Sequence, residues 1–552
     1  MSLPQFCTQS YLFSTAALSS SLFPKNDRYR LFATLVYPQL AKVRSQLAAC
    51  YCAEDGRAAI EPVLLLGVSI LQFLDGQPDR AAVEMLKYHA GWNFALNRQL
   101  GDAAFHPTTL VNFRQRLLDH DLSAVGFQAV LDGLLEAGLV ARQTRQRLDS
   151  TQMLARVSRM SRLECVRETL CLALRELEAT ASGLPRPQCW SLLWERYVES
   201  KLDYRTETAV LRQKMTGAGT DAAQLLAWVR QLSQAAPRAG QQVKLLERVW
   251  GEHFELSATG QLQQREAQPA GAVQNPHDPQ AQWAAKGQGK HRKEHVGYKV
   301  QVAETVSEAT LTKGEPTANF ITAVVAQPAT ASDDAGLPQV EQAQAQLGLE
   351  KPSEWYLDGA YVSAERLAQA QAEGRQLIGP AQPAPKKDGR FSVEDFQVSV
   401  EERRAVCPAG QSSTQCSRLE EQDGPKVTYR FEFTSHCHGC ALREQCLAKD
   451  QRHRTITVGQ YHTHLQARRQ EQRTEGFKIK TQRRNAIEGT QSELVRAHGL
   501  RRARYLGLSK ARLQTCMAAA ACNLKRWIRR AAWQLSQFAQ PQPTAAALAA
   551  IN

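Results

Sequence analysis

From Tyr29 to Val140 apolar residues return every three to four positions, the spacing of helices buried along one face. Leu31, Leu35, Val43 and Leu47 fall on one such helix. Ile60 to Leu74 is apolar on almost every side and predicts a buried helix. Gly76-Gln77-Pro78-Asp79 breaks it, and a helix over Arg80 to Tyr88 follows. His106-Pro107-Thr108-Thr109 precedes another, Leu110 to Leu118. The pattern then changes. Arg145 to Thr151 reads as a short strand ending on Asp149 and hydroxyl residues. Helical spacing returns in Val166 to Leu177, Trp190 to Val198, Ala222 to Leu232 and Val243 to Phe254, while residues 266–293 are Gln-, Gly- and Pro-rich and predict a loop or linker. Val296 to Ala303 alternates with period two, a strand, and Phe320 to Val325 reads as a second. Ala335 to Leu347 is helical. Glu354 to Tyr361 is an apolar strand closing on Asp358 and Gly359, and Ser363 caps a helix through Leu367. Strand, helix, strand, acid, helix is the cadence of an α/β sheet.

At 552 residues the chain exceeds what one core organises, so several domains are expected. The formal net charge of +14 is concentrated. Residues 451–530 carry 19 Lys and Arg against 4 Asp and Glu, a balance of +15, which leaves the remainder close to neutral. That distribution favours a nucleic-acid footprint. The longest strongly apolar run, Val63 to Leu74, falls far short of the ~20 residues of a membrane span. The apolar patch Tyr11 to Phe23 has no Lys or Arg before it, unlike a secretory signal, so the expected location is cytoplasmic. In that setting the 13 cysteines point to thiols and a metal site, not a disulfide framework.

The stretch Arg483 to Gly507 sets two acids, Glu488 and Glu493, in a field of arginines. Ile487, Leu494 and Val495 recur at helical spacing. A helix here places Arg484, Glu488 and Ser492 on one face at four-residue steps. Arg496, Arg501, Arg502 and Arg504 crowd its end and the turn beyond. Asp149 and Asp358, each closing a strand, would emerge at the rim of a sheet, where α/β folds hold ligands. Three carboxylates meeting there can hold two divalent cations ~3.5–4 Å apart. Oxygen-only ligation selects Mg²⁺ or Mn²⁺. Glu493 competes with Glu488 for the third place.

The segments LDSTQMLARV (148–157), HVGYKVQVAE (295–304), WYLDGAYVSAE (355–365) and AIEGTQSELVRAHGLRRARYLG (486–507), behind a helical N-terminal block, resemble a bacterial insertion-sequence transposase of the DDE type. The resemblance spans residues 30 to about 530 in the family's order. It implies a multidomain chain: an α-helical N-terminal domain and an α/β RNase H-like core, with a helical insertion and a small Cys-rich, zinc-ribbon-like insertion. The expected boundaries are a flexible lead-in (1–26), a helical DNA-binding or assembly domain (27–140), the first core strand (141–154), a helical insertion (155–270), the core continued (271–385), the Cys-rich insertion (386–455), basic core helices (456–533) and a disordered tail (534–552). It implies catalytic, metal-holding roles for Asp149, Asp358 and Glu488 with Mg²⁺ or Mn²⁺. Arg484 and Arg496 map onto the family's basic residues around its glutamate. Thr481 and Val495 stand where many relatives have Tyr and Lys or Arg. The implied partners are double-stranded DNA, as terminal inverted repeats and target, and further copies of the chain assembled on it. Arg501, Arg502 and Arg504 are expected to join Arg484 and Arg496 on the DNA.

Cys437-x-x-Cys440 has zinc-knuckle spacing, and Cys407 and Cys446 complete four sulfur ligands for a structural Zn²⁺. Cys416, His436, His438 and His453 are alternative ligands. Cys7, Cys50, Cys52, Cys165, Cys171, Cys189, Cys516 and Cys522 read as apolar packers. No phosphate-cradling or dinucleotide-binding glycine motif occurs. The expected function is hydrolysis at element ends and strand transfer into target DNA. The alternatives are a metal-dependent nuclease on the same fold and a catalytically decayed DNA-binding protein.

Overall fold

The computed structural model describes residues 2–3, 19–52, 56–99, 101–180, 185–201, 207–233, 240–287, 289–307, 312–386, 388–420 and 427–539. Cys7, most of the expected lead-in and residues 540–552 of the expected tail lie outside them.

The N-terminal block is helical. Residues 28–48, expected as one helix, form consecutive short helical segments (Arg28–Leu31, a π-helical Phe32–Val36, Tyr37–Lys42 and Arg44–Ala48), and after them come α1 (Pro62–Asp75), α2 (Asp79–Tyr88), α3 (Thr108–Asp119) and α4 (Val125–Glu136). Glu61 caps α1 by accepting from the Val63 N–H, and Gly76 at φ 67° ends it in a left-handed turn. Every residue from Pro62 to Phe73 is buried. The reason is the long C-terminal helix, which packs on α1 and α4 and on the sheet behind them.

That sheet has six strands: β1 (Arg145–Leu154), β2 (Gln282–Lys286), β3 (Lys293–Thr305), β4 (Ile321–Pro328), β5 (Glu354–Tyr356) and β6 (Gln376–Ile378). β2 and β4 pair antiparallel along one side of β3, β3 pairs antiparallel with β1, and β5 and β6 continue parallel. Between β1 and β2 lie α5 (Arg162–Thr180), α6 (Thr208–Ser233) and α7 (Gln241–His253), which close on their own core. α8 (Asp333–Gln346) links β4 to β5, and α9 (Ala364–Ala372) links β5 to β6. The sheet is buried on both faces. Tyr298, Val300 and Val302 join the core of the helical block, while Leu148, Ala303 and Trp355 join a second core with α8 and α9.

Two small sheets follow, residues 397–406 and residues 415–459, with a core of their own. The chain ends in α10 (His462–Glu471), α11 (Glu475–Thr481), α12 (Ile487–Ala497) and α13 (Leu508–Ala539). The Asn523 side chain locks α13 to β4 through both backbone groups of Ile321, at 2.8 Å each. Among the described residues no helix is long and apolar enough to cross a membrane.

Four further expectations are corrected. The predicted loop over 266–293 contains β2. The predicted strand over Glu354–Tyr361 is paired only through Tyr356, because a 3₁₀ turn takes Gly359–Tyr361. Residues 534–539 continue α13 instead of beginning a tail. The helix expected from Arg483 starts only at Ile487, and His498-Gly499 ends it, with Gly499 at φ 71°.

Candidate active site

Asp149 lies inside β1, not at its end. What ends there is its parallel partner. Arg147 stands opposite Tyr356, the last residue of β5. Asp149, still within β1, and Asp358, just past the end of β5, are each two residues farther along, where the paired strands run ~4.8 Å apart. Equal offsets in a parallel register therefore set the two carboxylates side by side. Two such charges repel unless a cation joins them. Arg484 supplies it: one guanidinium nitrogen lies 3.0 Å from Asp358 Oδ2 and 3.4 Å from Asp149 Oδ2.

Arg484 is held there from the sheet. It sits in a 3₁₀ turn, Gln482–Arg484, not on the helix with Glu488. Arg147 donates to the Arg483 carbonyl at 3.0 Å, and Arg483 donates to the Tyr356 hydroxyl at 3.0 Å. β1 and β5 thus each grip the turn that faces their own aspartates. Asp149 also accepts the Ser150 N–H at 2.8 Å. Burial pushes the Asp149 carboxyl above its ordinary pKa, and the Asp358 charge adds to this; Arg484, the Ser150 N–H and Lys286 oppose it. Asp358 is half exposed, so the pair opens to solvent on that side.

Glu488 occupies the first turn of α12, exposed, with no partner among the described residues. Its helix is fixed from below. Ile487 is buried, and Thr490 donates to the buried Glu304 of β3 at 2.6 Å. Glu304 also accepts from Arg147 at 2.6 Å and from Arg526 of α13 at 3.0 Å. The structure brings Asp149 and Asp358 together but does not close Glu488 to within 4.8 Å of both. Glu493 is committed elsewhere, to Lys525 at 2.9 Å and Arg526 at 3.0 Å. Burial would raise its carboxyl, but those two cations hold it down at about 2. Among the described residues Glu493, His498 and Cys522 are the one trio of such ligand atoms within 4.8 Å of one another, and the same cations disfavour a metal there.

Lys286 of β2, Arg147 and Glu304 are site residues that sequence reading missed. For Glu304 the available signal was a charge following the apolar, alternating run of β3; Arg147, in the polar β1, and Lys286, at the end of β2, carried none. Arg496, Arg501 and Arg502 are exposed, whereas Arg504 is half-buried with its guanidinium 4.3 Å from the Phe73 ring centroid.

Cys407, Cys437, Cys440 and Cys446 line one small cavity with His436, walled by Phe391, Phe433 and Leu447. Two tight turns present three of the thiols. Gly410 at φ 76° closes Cys407-Pro-Ala-Gly, and Gly439 at φ 87° closes Cys437-His-Gly-Cys440. The Cys437 sulfur accepts the Arg454 N–H at 3.4 Å. Burial pushes the Cys446 thiol up; Arg454 opposes this, and the other three sulfurs reinforce it. Cys416, His438 and His453 do not line this cavity.

Two family models match the chain. One, Transposase DDE domain, matches residues 406–528, which include the four cysteines, Arg484 and Glu488. The other, Transposase domain (DUF772), matches residues 19–116 of the helical block. Together the two matches support an insertion-sequence transposase of the DDE type. No curated protein and no solved structure matches the chain. Asp149 and Asp358 lie outside both matched segments, so their pairing rests on the geometry described above.

Proposed function

We propose that this transposase hydrolyses a phosphodiester at the ends of its element and joins the freed 3′ end to target DNA, on an RNase H-like sheet whose active acids are Asp149, Asp358 and Glu488. The observation that carries the reading is the shared Arg484 guanidinium. Two aspartates from adjacent strands are already arranged around one positive charge at a solvent-open rim. An all-oxygen donor set fits Mg²⁺ or Mn²⁺. A divalent pair held by these acids would supply the charge that activates the attacking hydroxyl and stabilises the leaving oxygen. The protein's own part is positioning. The Ser150 N–H orients Asp149, and the buried Glu304 network anchors the helix that carries Glu488. With a metal on the aspartates in its place, Arg484 would be free to hold a DNA phosphate beside them. A structural Zn²⁺ on Cys407, Cys437, Cys440 and Cys446 would pin the small sheets beside this core. Exposed Arg496, Arg501 and Arg502 would contact backbone phosphates, which fix position more than sequence.

The test uses duplexes carrying the DNA that flanks the coding sequence. Asp149→Asn, Asp358→Asn and Glu488→Gln should each lower Mg²⁺-dependent cleavage about a thousandfold or more with the fold retained. Glu493→Gln should destabilise the protein without that selective loss. Cleavage that survives Asp149→Asn or Asp358→Asn overturns the assignment. So does cleavage that survives Glu488→Gln yet vanishes in folded Glu493→Gln. Cleavage without strand joining would leave a nuclease in place of a transposase.

A further inference from the structure

One part of the sheet reaches beyond its neighbours. β3 pairs with β1 only as far as Gly297, opposite Leu154, and with β4 only from Tyr298. Residues 293–295 have β2 as their one paired strand. β2 and this end of β3 therefore form a two-stranded arm, whose tip turns through Gly287 at φ 87° and Gly289 at φ 54°.

The charges of the arm do not suit an isolated hairpin. Lys286 stands directly opposite Lys293 in the ladder. Lys290 and Arg292 lie in the turn between them, and all four are exposed. Like charges directly across a strand pair destabilise it. Edge strands use lysine to refuse other strands, but that needs no second lysine opposite. Glu294, the one acid of residues 286–294, already answers Arg292 at 3.3 Å and Arg159 at 3.8 Å. Lys286, Lys290 and Lys293 form no ion pair among the described residues. The arm is also braced at its base. The Trp283 ring meets the guanidiniums of Arg292 and Arg159, 5.6 and 5.7 Å from its centroid, and its N–H donates to Glu294 at 3.3 Å. This ties the arm to the segment that leads into α5.

The arm also bends towards the acids. Val302, the partner of Asp149, lies nine residues past Lys293 along β3. Laid straight, that is about 30 Å at ~3.3 Å per residue. It is about three times the ~10 Å over which exposed charges act at ~0.1 M salt. Yet where burial raises the Asp149 pKa, Lys286 is among the charges that oppose the rise. A straight arm could not do this; the arm curls back over the rim that holds the two aspartates.

We propose that this arm is a clamp on the DNA strand entering the acid site, in which Lys286 and Lys293 hold backbone phosphates and Lys286 takes the phosphate nearest Asp149. A polyanion supplies the counter-charge that the Lys286–Lys293 pair lacks. Lys286 is then a positioning residue for the cut. The clamp rests on the reading that DNA is held at these acids, and it adds a grip from the side opposite to sequence recognition, since phosphates fix position and not sequence.

Three measurements on the full-length protein, with the same flanking-DNA duplexes, decide this. Lys286→Glu turns a like-charge pair into an opposite one. It should leave the melting temperature of the free protein unchanged or higher, yet weaken duplex binding about tenfold. A merely structural lysine would move both the same way. Lys286→Ala should lower the slope of log affinity against log salt by about 1 and cut kcat for Mg²⁺-dependent cleavage about tenfold, and Lys286→Arg should restore both. Last, single phosphates around the cut are replaced by neutral methylphosphonates, and binding is read without Mg²⁺. One replacement should cost wild type about tenfold in affinity and cost Lys286→Ala nothing. An unchanged salt slope, or the same sensitive phosphates in both proteins, overturns the clamp. If that happens while Asp149→Asn still abolishes cleavage, the proposed reaction stands without the clamp. If wild type binds but never cuts, the reaction falls and the phosphate scan still decides the clamp. A wild type that binds no duplex overturns both.

Discussion

Glu304 is completely buried, and three side chains from three other elements neutralise or bond it: Arg147 of β1, Thr490 of α12 and Arg526 of α13. Removing its charge strands two guanidiniums in the interior. Glu304→Gln is therefore expected to cost about 3–5 kcal/mol, read as a lower urea midpoint; an unchanged midpoint would show that the network carries no stability. Glu493 gives a pH signature. Its carboxyl sits at about 2 in the folded protein against 4.5 for the free group. The folded state binds the proton less readily, so the stabilisation is fully present above pH 4.5 and is lost as pH falls from 4.5 towards 2. Unfolding of wild type minus Glu493→Gln should show that difference shrinking across this window, and a constant difference would contradict it. At this scale the sequence separates residues poorly. Asp149, Asp358, Glu304 and Glu493 all look alike, acids beside apolar runs. What distinguishes a free carboxylate from a tied one is a partner such as Arg526, which lies 222 residues from Glu304.

Element pairing depends on positions where only glycine fits. A Cβ on Gly297 of β3 would come 2.0 Å from the Met153 carbonyl oxygen and 2.8 Å from the Ala155 nitrogen. Both are backbone atoms of the chain leaving β1, and neither can step aside. Gly297→Ala should break the β1–β3 pairing near Leu154, costing upwards of about 3 kcal/mol and lowering activity through misplaced Asp149. An unchanged melting temperature would refute that. Strong periodicity made most of the helices and β3 legible in advance. The shorter elements were less so. β5 was legible as an apolar run, though read too long, whereas β6, at three residues, is too short for a period and forms because β5 is there to pair with. The turn before α12 was hidden for another reason. Arg484 and Glu488 stand four apart, as on a helix, and no Gly or Pro marks the boundary. The tertiary hydrogen bond from Arg147 to the Arg483 carbonyl accompanies that turn, and no local pattern encodes it.

The molecule as a whole is built from cores of unequal connection. One runs through the helical block, one face of the sheet and α13, so those parts are expected to unfold together. Charge concentration in residues 451–530 pointed to DNA, but part of that charge is internal: Arg526 and Lys525 serve Glu304 and Glu493, and Arg468 is largely buried over the Phe477 ring. The Cys-rich sheets differ, since Phe396, Val398, Ala405, Phe431, Phe433, Ile456 and Val458 form a small separate core with three of the four cavity cysteines at its edge. A core that small needs a staple. If Zn²⁺ provides it, binding must deprotonate the thiols, Cys446 among them with its pKa pushed up by burial, so affinity should fall as the solution is acidified. Chelation, or Cys440→Ser, should then raise amide hydrogen exchange across residues 391–459 while residues 62–75, 145–154 and 508–530 stay protected. Exchange that rises evenly over the chain would mean that the two cores are one cooperative unit. Exchange that does not rise at all, with no zinc found in the purified protein, would mean that the four thiols merely share a cavity.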